Sequence, residues 1–453
     1  MRSITNLILI CSCAFTLSAR EEYKRDFRKT APLTAGRTFR IESQLGRISI
    51  HTHARNEVAI QAMVHCSADT ADEARSCAEQ MIKIAVDESA SGVSVRTEYP
   101  NRTFNRDTSY SVDYDITMPE TSPLELRHRF GSIDVSNLHA PGIINAGNCG
   151  VTFLSGRGAQ RIENTFGNVE VRTNDGQVTI NNTNGNVTAT DITGALEISN
   201  RFGGIRATNA GGQLIIRSNN ANIEATNVRG AINVTNTFGH VIVSDAKADV
   251  VIQNQNGEIT VNGADGIATL HTTFAGINFT RVGRALSVHA TNSTIRGDTV
   301  GESATVETTF GGVDIHTIKG GARVTAANSG IRLSSVGGEV YAKTTFAPVN
   351  IRDAAGPITV ESQNSSVTVD ARAGQRCQPI SLRTTFGPIQ VTVPQNAGYN
   401  VTAHTTFGRI HTSPTSQVTV SGDIDPGSLV GKIGGGGCDL RLMGQNGSIE
   451  ILR

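Results

Sequence analysis

The stretch "NTFGNVEVRTNDGQVTINNTNGNVTATDITGALEISN", from Asn164 to Asn200, decides how the chain is read. Phe166 in it and the next such residue, Phe202, lie 36 positions apart, and Asn184 stands midway. The spacing runs through Phe130, Phe166, Phe202, Phe238, Phe274, Phe310 and Phe346. Between them stand Asn148, Asn184, Asn220, Asn256, Asn292, Asn328 and Asn364. The true period is 18 residues, with Phe and Asn alternating at one place. Self-similarity at a fixed short period is the mark of a solenoid.

Counting Arg129 as the first place, the units share a template. The fifth place is always Val or Ile (Ile133, Val151, Val169, Val187, Ile205) and the sixteenth nearly always Ile, Val or Leu (Ile144, Ile162, Ile180). The seventh and fourteenth are mostly apolar, and Gly recurs at the third and twelfth, as at Gly158, Gly176, Gly194 and Gly230. Each unit thus reads G-x-V-x-V twice, nine residues apart. Alternation with period two puts the apolar side chains on one face of a strand, and glycine supplies the backbone freedom of tight turns.

Two strands and two turns per unit make one coil of a flattened parallel β-solenoid, an all-β fold. Coils stacked about 4.8 Å apart give an array on the order of 65 Å long. A single coil buries about five apolar side chains, worth roughly 1.5–3 kcal/mol each. Ordering its backbone costs about 1–2 kcal/mol per residue. One coil cannot stand alone, so hydrogen bonds and packing between coils must make up the difference.

The recurrent Phe has two readings. Side chains pointing outward every second coil would form a surface track about 9.6 Å apart, able to stack on sugar rings. Side chains pointing inward at the turn would fill the edge of a thin core, with the neighbouring Asn tying off turn backbone. Soluble proteins avoid long exposed apolar stripes. The sequence therefore favours buried Phe, a structural ladder shared with the Asn residues.

Outside the repeats, "QLGRISIHTHARNEVAIQAM" fits the template loosely, with Leu45 in the Phe place and Ile48 and Ile50 inward. "SADTADEARSCAEQMIKIAVDE" predicts a helix capped by Asp69 or Thr70, with Ala74, Cys77, Met81 and Ile84 on one face. "SGVSVRTEY" and "SYSVDYDITMP" read as strands. A small α/β cap over the first coil would protect an open sheet edge. Beyond Asn364 the period loosens. "GDIDPGSLVGKIGGGGCDLRL" reads as an inserted hairpin or loop, and "QNGSIEIL" as a last strand. The organisation expected is 1–19 signal peptide, 20–125 cap with the first coil, one helix and strands, and 126–453 solenoid with irregular C-terminal insertions.

The opening "MRSITNLILICSCAFTLSAR" has a basic start, an apolar run and small residues at its end, as a secretory signal does. A second reading is a lipoprotein signal with "ICSC" ending at the lipid-bearing Cys13. No later segment is long and apolar enough for a membrane span. The mature protein is expected to be exported, in the periplasm, on the outer surface or secreted. Export permits disulfides: Cys66 with Cys77 is one candidate pair and Cys377 with Cys438 a second, leaving Cys149 as a small buried residue.

Formal net charge is zero, with no long run of one sign, so the electrostatic footprint of a nucleic-acid binder is missing. Neither a CxxC pair nor a zinc-type Cys/His spacing occurs, and the turns carry no Asp column of the calcium-repeat kind. "HTH" at His51 to His53 supplies two imidazoles without a third ligand. The Thr pairs at turns, such as Thr272–Thr273 and Thr308–Thr309, do not form the flat T-x-T ladder of an ice-binding face. An enzyme acting on polysaccharide would need paired carboxylates on one patch, and Asp314, Glu339 and Asp353 are scattered through the template. No catalytic residue, metal site or cofactor is expected.

The succession of an export signal, "LTAGRTFRIESQLGRISI", a helical insert, "DYDITMP", the repeats and "GGGGCDLRLMGQNGSIEIL" resembles the bacterial putative-adhesin family of exported β-strand-repeat proteins. The resemblance implies a β-helical envelope protein with an adhesive or scaffolding role. The expected partner is a surface ligand, a glycan or another envelope protein. The alternative is a β-helix protein that binds or cleaves polysaccharide.

Overall fold

The computed structural model describes residues 20–100, 108–373, 377–416, 418–421 and 425–453. The segment 1–19 read from sequence as a signal, Cys13 included, lies outside the described residues. The chain divides into two compact units at Val135 and Ser136, ten residues beyond the boundary expected from sequence.

In the first unit, Glu21–Pro32 pairs antiparallel with Glu57–Ala68, which pairs antiparallel with Ser109–Pro119. Thr38–His53 runs parallel to both Ser109–Pro119 and Leu124–Ser136, and its register sets Leu45 opposite Phe130. Ile48 and Ile50 point into the core. The predicted helix is shorter than its sequence pattern. Thr70 caps it by accepting from Glu73 N at 3.3 Å, but α-helix covers only Ala71–Ser76, followed by a π turn at Cys77–Met81. Ile84 then lies in the strand Lys83–Ser89, which pairs antiparallel with Gly92–Glu98. The Cys66–Cys77 disulfide sits inside this unit.

The second unit is a parallel β-solenoid in which the strands from Gln160–Phe166 to Val349–Ala354 pair with the strands 18 residues before and after them. One coil shows the plan. Val169–Asp175 pairs with Val187–Ile192, and Val178–Asn184 pairs with Leu196–Phe202. Val169, Val171, Asn174, Val178, Ile180 and Asn182 face inward and are buried. The V-x-V alternation of the template builds that core.

A bend that the template did not mark falls at its ninth place. Thr173, Asp191, Asn209, Asn227 and Asp245 all take a left-handed backbone, φ 54–58°, a conformation Asn and Asp tolerate better than most residues. The ladder leaves out this residue, passing from Arg172↔Thr190 to Asn174↔Ile192 with the offset of 18 unchanged. Side chains stack along the corner: Asn227 Nδ2 donates to Asn209 Oδ1, and Asn209 Nδ2 to Asp191 Oδ1, each at 2.7 Å.

At the C-terminal end the chain leaves sequential order. Cys438–Asn446 inserts between Ile380–Phe386 and Tyr399–Thr405, parallel to both. Ile449–Leu452 likewise lies between Ile389–Thr392 and Ile410–Thr412. Ser428–Ile433, in the segment read as an inserted hairpin, pairs antiparallel with Tyr399–Thr405 and with Val418–Val420. The Cys377–Cys438 disulfide ties the start of the inserted strand to the segment leading into Ile380–Phe386. Cys149 is buried and lies outside both disulfides.

Candidate functional site: the Phe and Asn column

The recurrent Phe residues are not in the core. Phe166, Phe202, Phe238, Phe274, Phe310 and Phe346 are 40–59% exposed, and Phe130 in the first unit is 43% exposed. This corrects the buried reading, and the local hydrogen bonding gives the reason. The inward place at this corner lies two residues earlier and is filled by a polar side chain. Asn164 Nδ2 donates to the Cys149 carbonyl at 3.0 Å and to the Phe166 carbonyl at 3.1 Å. Asn236 Nδ2 does the same to Ala221 at 3.0 Å and Phe238 at 2.8 Å. Farther along, Thr takes over: Thr308 Oγ1 donates to the Phe310 carbonyl at 3.1 Å. Phe166, Phe238, Phe274 and Phe310 thus turn their carbonyls toward the ladder and their rings toward solvent, while at Phe202 the same ladder position, Asn200, holds the Gly203 carbonyl instead.

A glycine follows most of these Phe residues and turns the chain sharply, and after Phe274 the residue Ala275 takes a similar backbone, φ 93°. Gly167, Gly203, Gly239 and Gly311 have φ between 98° and 113°. A Cβ on Gly239 would lie 2.2 Å from the Ala221 carbonyl oxygen of the preceding coil. Two buried aromatics off the schedule underline the contrast. Phe153 and Phe279 fill the core, each given room by a glycine: Gly156 three residues on in the same strand, and Gly297 at the matching place of the next coil.

The Asn residues share the column. Asn184 is in register with both Phe166 and Phe202, and Asn256 with Phe238 and Phe274. They break what would be a continuous apolar stripe into separate rings, which is how the column meets the usual limit on exposed apolar patches. The reading from sequence weighed the stripe without its interruptions.

Two further Phe residues extend the column. Phe386 and Phe407 are 52% and 73% exposed, and the inserted strand puts Asn446 between them. Asn446 is in register with Phe386, and Phe407 N donates to the Gln445 carbonyl at 2.6 Å. Thr405, the inward residue two before Phe407, donates to the Gly447 carbonyl at 2.8 Å. Their signal was present in "TTFGPI" and "TTFGRI", but the broken period concealed that they continue the column.

Other candidate residues disperse. Asp314, Glu339 and Asp353 occupy the sixth, thirteenth and ninth places of the coil, in three different columns. Asp314 is paired with Arg332 at 3.0 Å and lies 3.4 Å from His316. Asp353 accepts from Arg372 at 2.8 Å, a contact that holds its carboxyl below the usual range. Arg281 does the same for Asp265. The aspartates of the left-handed corner, Asp191, Asp245 and Asp353, are never in adjacent coils. Among the described residues no group of three His, Cys, Asp or Glu side chains could hold a metal ion. Nor is any helix among them long and apolar enough to cross a membrane. In the "HTH" segment, His51 Nε2 lies 3.2 Å from Ser49 Oγ and His53 Nδ1 accepts from Arg55 N at 3.0 Å.

In the first unit the inward place beside Phe130 is taken by His128. Its Nε2 donates to the Gly46 carbonyl at 2.8 Å. Burial pushes this imidazole below its ordinary pKa, against the opposing effect of its backbone hydrogen bonds.

No protein-family model matches the chain, and no curated protein does. A solved structure described as a "putative cell adhesion protein" from Clostridium sporogenes aligns over 94% of this chain and 99% of its own. It is 8% identical, with a TM-score of 0.17. At that score the alignment carries no argument about fold or function.

Proposed function

We propose that the chain is an exported, non-enzymatic adhesin or cell-envelope scaffold that engages its ligand along one lateral face of the solenoid. The observation that carries this reading is the column itself: eight exposed Phe in the second unit, one in every second coil from Phe166 to Phe407. Exposed aromatics of this number cost solubility and add little to the core, so a fold that keeps them needs them outside. Solenoids bind through extended faces, and this column runs along the coils. The non-enzymatic part is supported by carboxylates that lie in separate columns and, at Asp314 and Asp353, are tied up by arginine.

Deleting one 36-residue pair, Arg201 to Asn236, removes one Phe and one Asn of the column, Phe202 and Asn220, and joins matching templates. Attachment of the shortened protein to bacterial surface preparations should weaken modestly, and further with each additional pair removed. Abrupt loss from one particular deletion, with folding intact by circular dichroism, would locate a discrete site and contradict the extended-face reading.

A further inference from the structure

We propose, building on the extended-face reading, that the column is a binding track for a neutral, extended β-linked glycan, with one disaccharide repeat per Phe. Three observations point to that chemistry. The first is spacing: Phe recurs every second coil, about 9.6 Å, close to the slightly longer repeat of a β-1,4-linked disaccharide in its extended form. In such a chain alternate sugars present equivalent faces, so one ring in two can stack on an aromatic surface.

The second is the polar complement. Each interval between Phe rings holds an Asn in register, as at Asn184 and Asn256, whose amide can both donate and accept. A half-exposed Thr precedes most of the rings, as at Thr237, Thr273 and Thr309. Apolar rings and amides in alternation, with hydroxyls beside most rings, match a polymer with apolar ring faces and hydroxyl edges.

The third is charge. Across the first three places of every coil from Thr165 to Gly408, and at 445–447, only Arg201 is charged. Its guanidinium lies over the Phe202 ring, 5.3 Å from the centroid. A polyanion would find almost nothing to pair with, whereas a neutral chain loses nothing.

A second copy of the protein fits the column less well. The ridge is one side chain wide, flanked on one side by Gly167, Gly203, Gly239 and their equivalents. Stable protein interfaces need a broad, closely packed patch, while a glycan is itself one residue wide.

The test is isothermal titration of the mature protein with neutral β-1,4-linked oligosaccharides of increasing length. Hyaluronan serves as the acidic control and an α-linked glucan as the helical one. Affinity should rise with each added disaccharide, because linked weak sites reinforce one another, and both controls should bind less. Replacing Phe202, Phe238 and Phe274 by Asn should weaken binding about two- to ten-fold per ring. The swap F238N/N256F keeps the composition and exposes the same number of rings but breaks their spacing, and should weaken long oligosaccharides as much as F238N alone.

No binding of any neutral oligosaccharide overturns the proposal, as does binding that the triple variant leaves unchanged. Sedimentation showing a dimer that the triple variant dissociates overturns it in favour of a second copy. Graded loss of surface attachment in the deletion series without oligosaccharide binding overturns the glycan while leaving the extended-face reading in place.

Discussion

In the regular stretch 160–364 the Phe–Asn alternation follows sequence order, each coil laid directly on the one before it. In the C-terminal stretch 377–453 the order is broken: the last strands of the chain slip between two earlier ones. Yet the residue carried into the gap between Phe386 and Phe407 is Asn446, followed by Gly447 as Asn184 and Asn256 are followed by Gly185 and Gly257. Tandem duplication alone would account for alternation in the first stretch. It does not account for the second, where the sequence neighbour of Phe386 at this place is Phe407. The alternation is therefore a property of the surface, kept where the chain reaches it by another route.

The largest effect is expected where both stretches depend on the same backbone. Gly239→Val forces a side chain onto a backbone with φ 101° and against the Ala221 carbonyl. It should destabilise the fold by about 5 kcal/mol or more, read by denaturant unfolding. A stable Gly239→Val protein would show that the corner can relax and that its glycine is dispensable.

The two stretches should then separate on reduction. The Cys377–Cys438 bond closes a loop across the interleaved strands. Cys438→Ser should cost up to about 4 kcal/mol, concentrated at the C-terminal end, while amides of the regular coils keep their hydrogen-exchange protection. Uniform loss of protection along the second unit would mean that the interleaved end holds the whole array together.

Asn236→Ala removes a donor shared by two backbone carbonyls and should cost about 1–3 kcal/mol. Asn236→Thr copies the residue used at Thr272 and Thr308 and should recover most of it. If Thr is no better than Ala, the ladder's hydrogen bonds are not what stabilises the corner.

His128 gives the smallest effect and a pH signature. Its buried ring is neutral in the folded form, so the unfolded chain takes up the proton first as pH falls through about 6.5. Stability of the first unit should be full above that pH and decline as pH drops toward the lower folded value. His128→Asn, the residue used at Asn164, should remove that slope from melting curves between pH 7.5 and 5.5. An unchanged slope would assign the dependence to other groups.

The solenoid was legible because burial writes itself into sequence with a strict period: Val169, Val171, Val178 and Ile180 repeat as a core must. The direction of Phe was not legible, because at a corner the strand alternation ends and hydrogen bonding decides which way a side chain turns. The deciding residue, Asn164 or Thr308, is polar and buried, the combination that hydropathy reads as surface. The left-handed corner was missed for a related reason, since Thr173, Asp191 and Asn209 share a backbone conformation but no side-chain type. The interleaved end was hidden because strand order is not recorded in spacing once the period breaks, although "TTFGPI" and "QNGSIEIL" both carried the local pattern.

The most direct test of an outward column sets a scheduled ring beside a core ring. Equilibrium unfolding of Phe238→Asn, which installs the residue of the adjacent coils, should cost less than about 1.5 kcal/mol, the share of a half-buried side chain. Phe153→Ala, which empties a filled core position, should cost about 3–5 kcal/mol. Equal costs at the two positions would put the recurrent Phe back among the residues that hold the fold together, and would contradict the account.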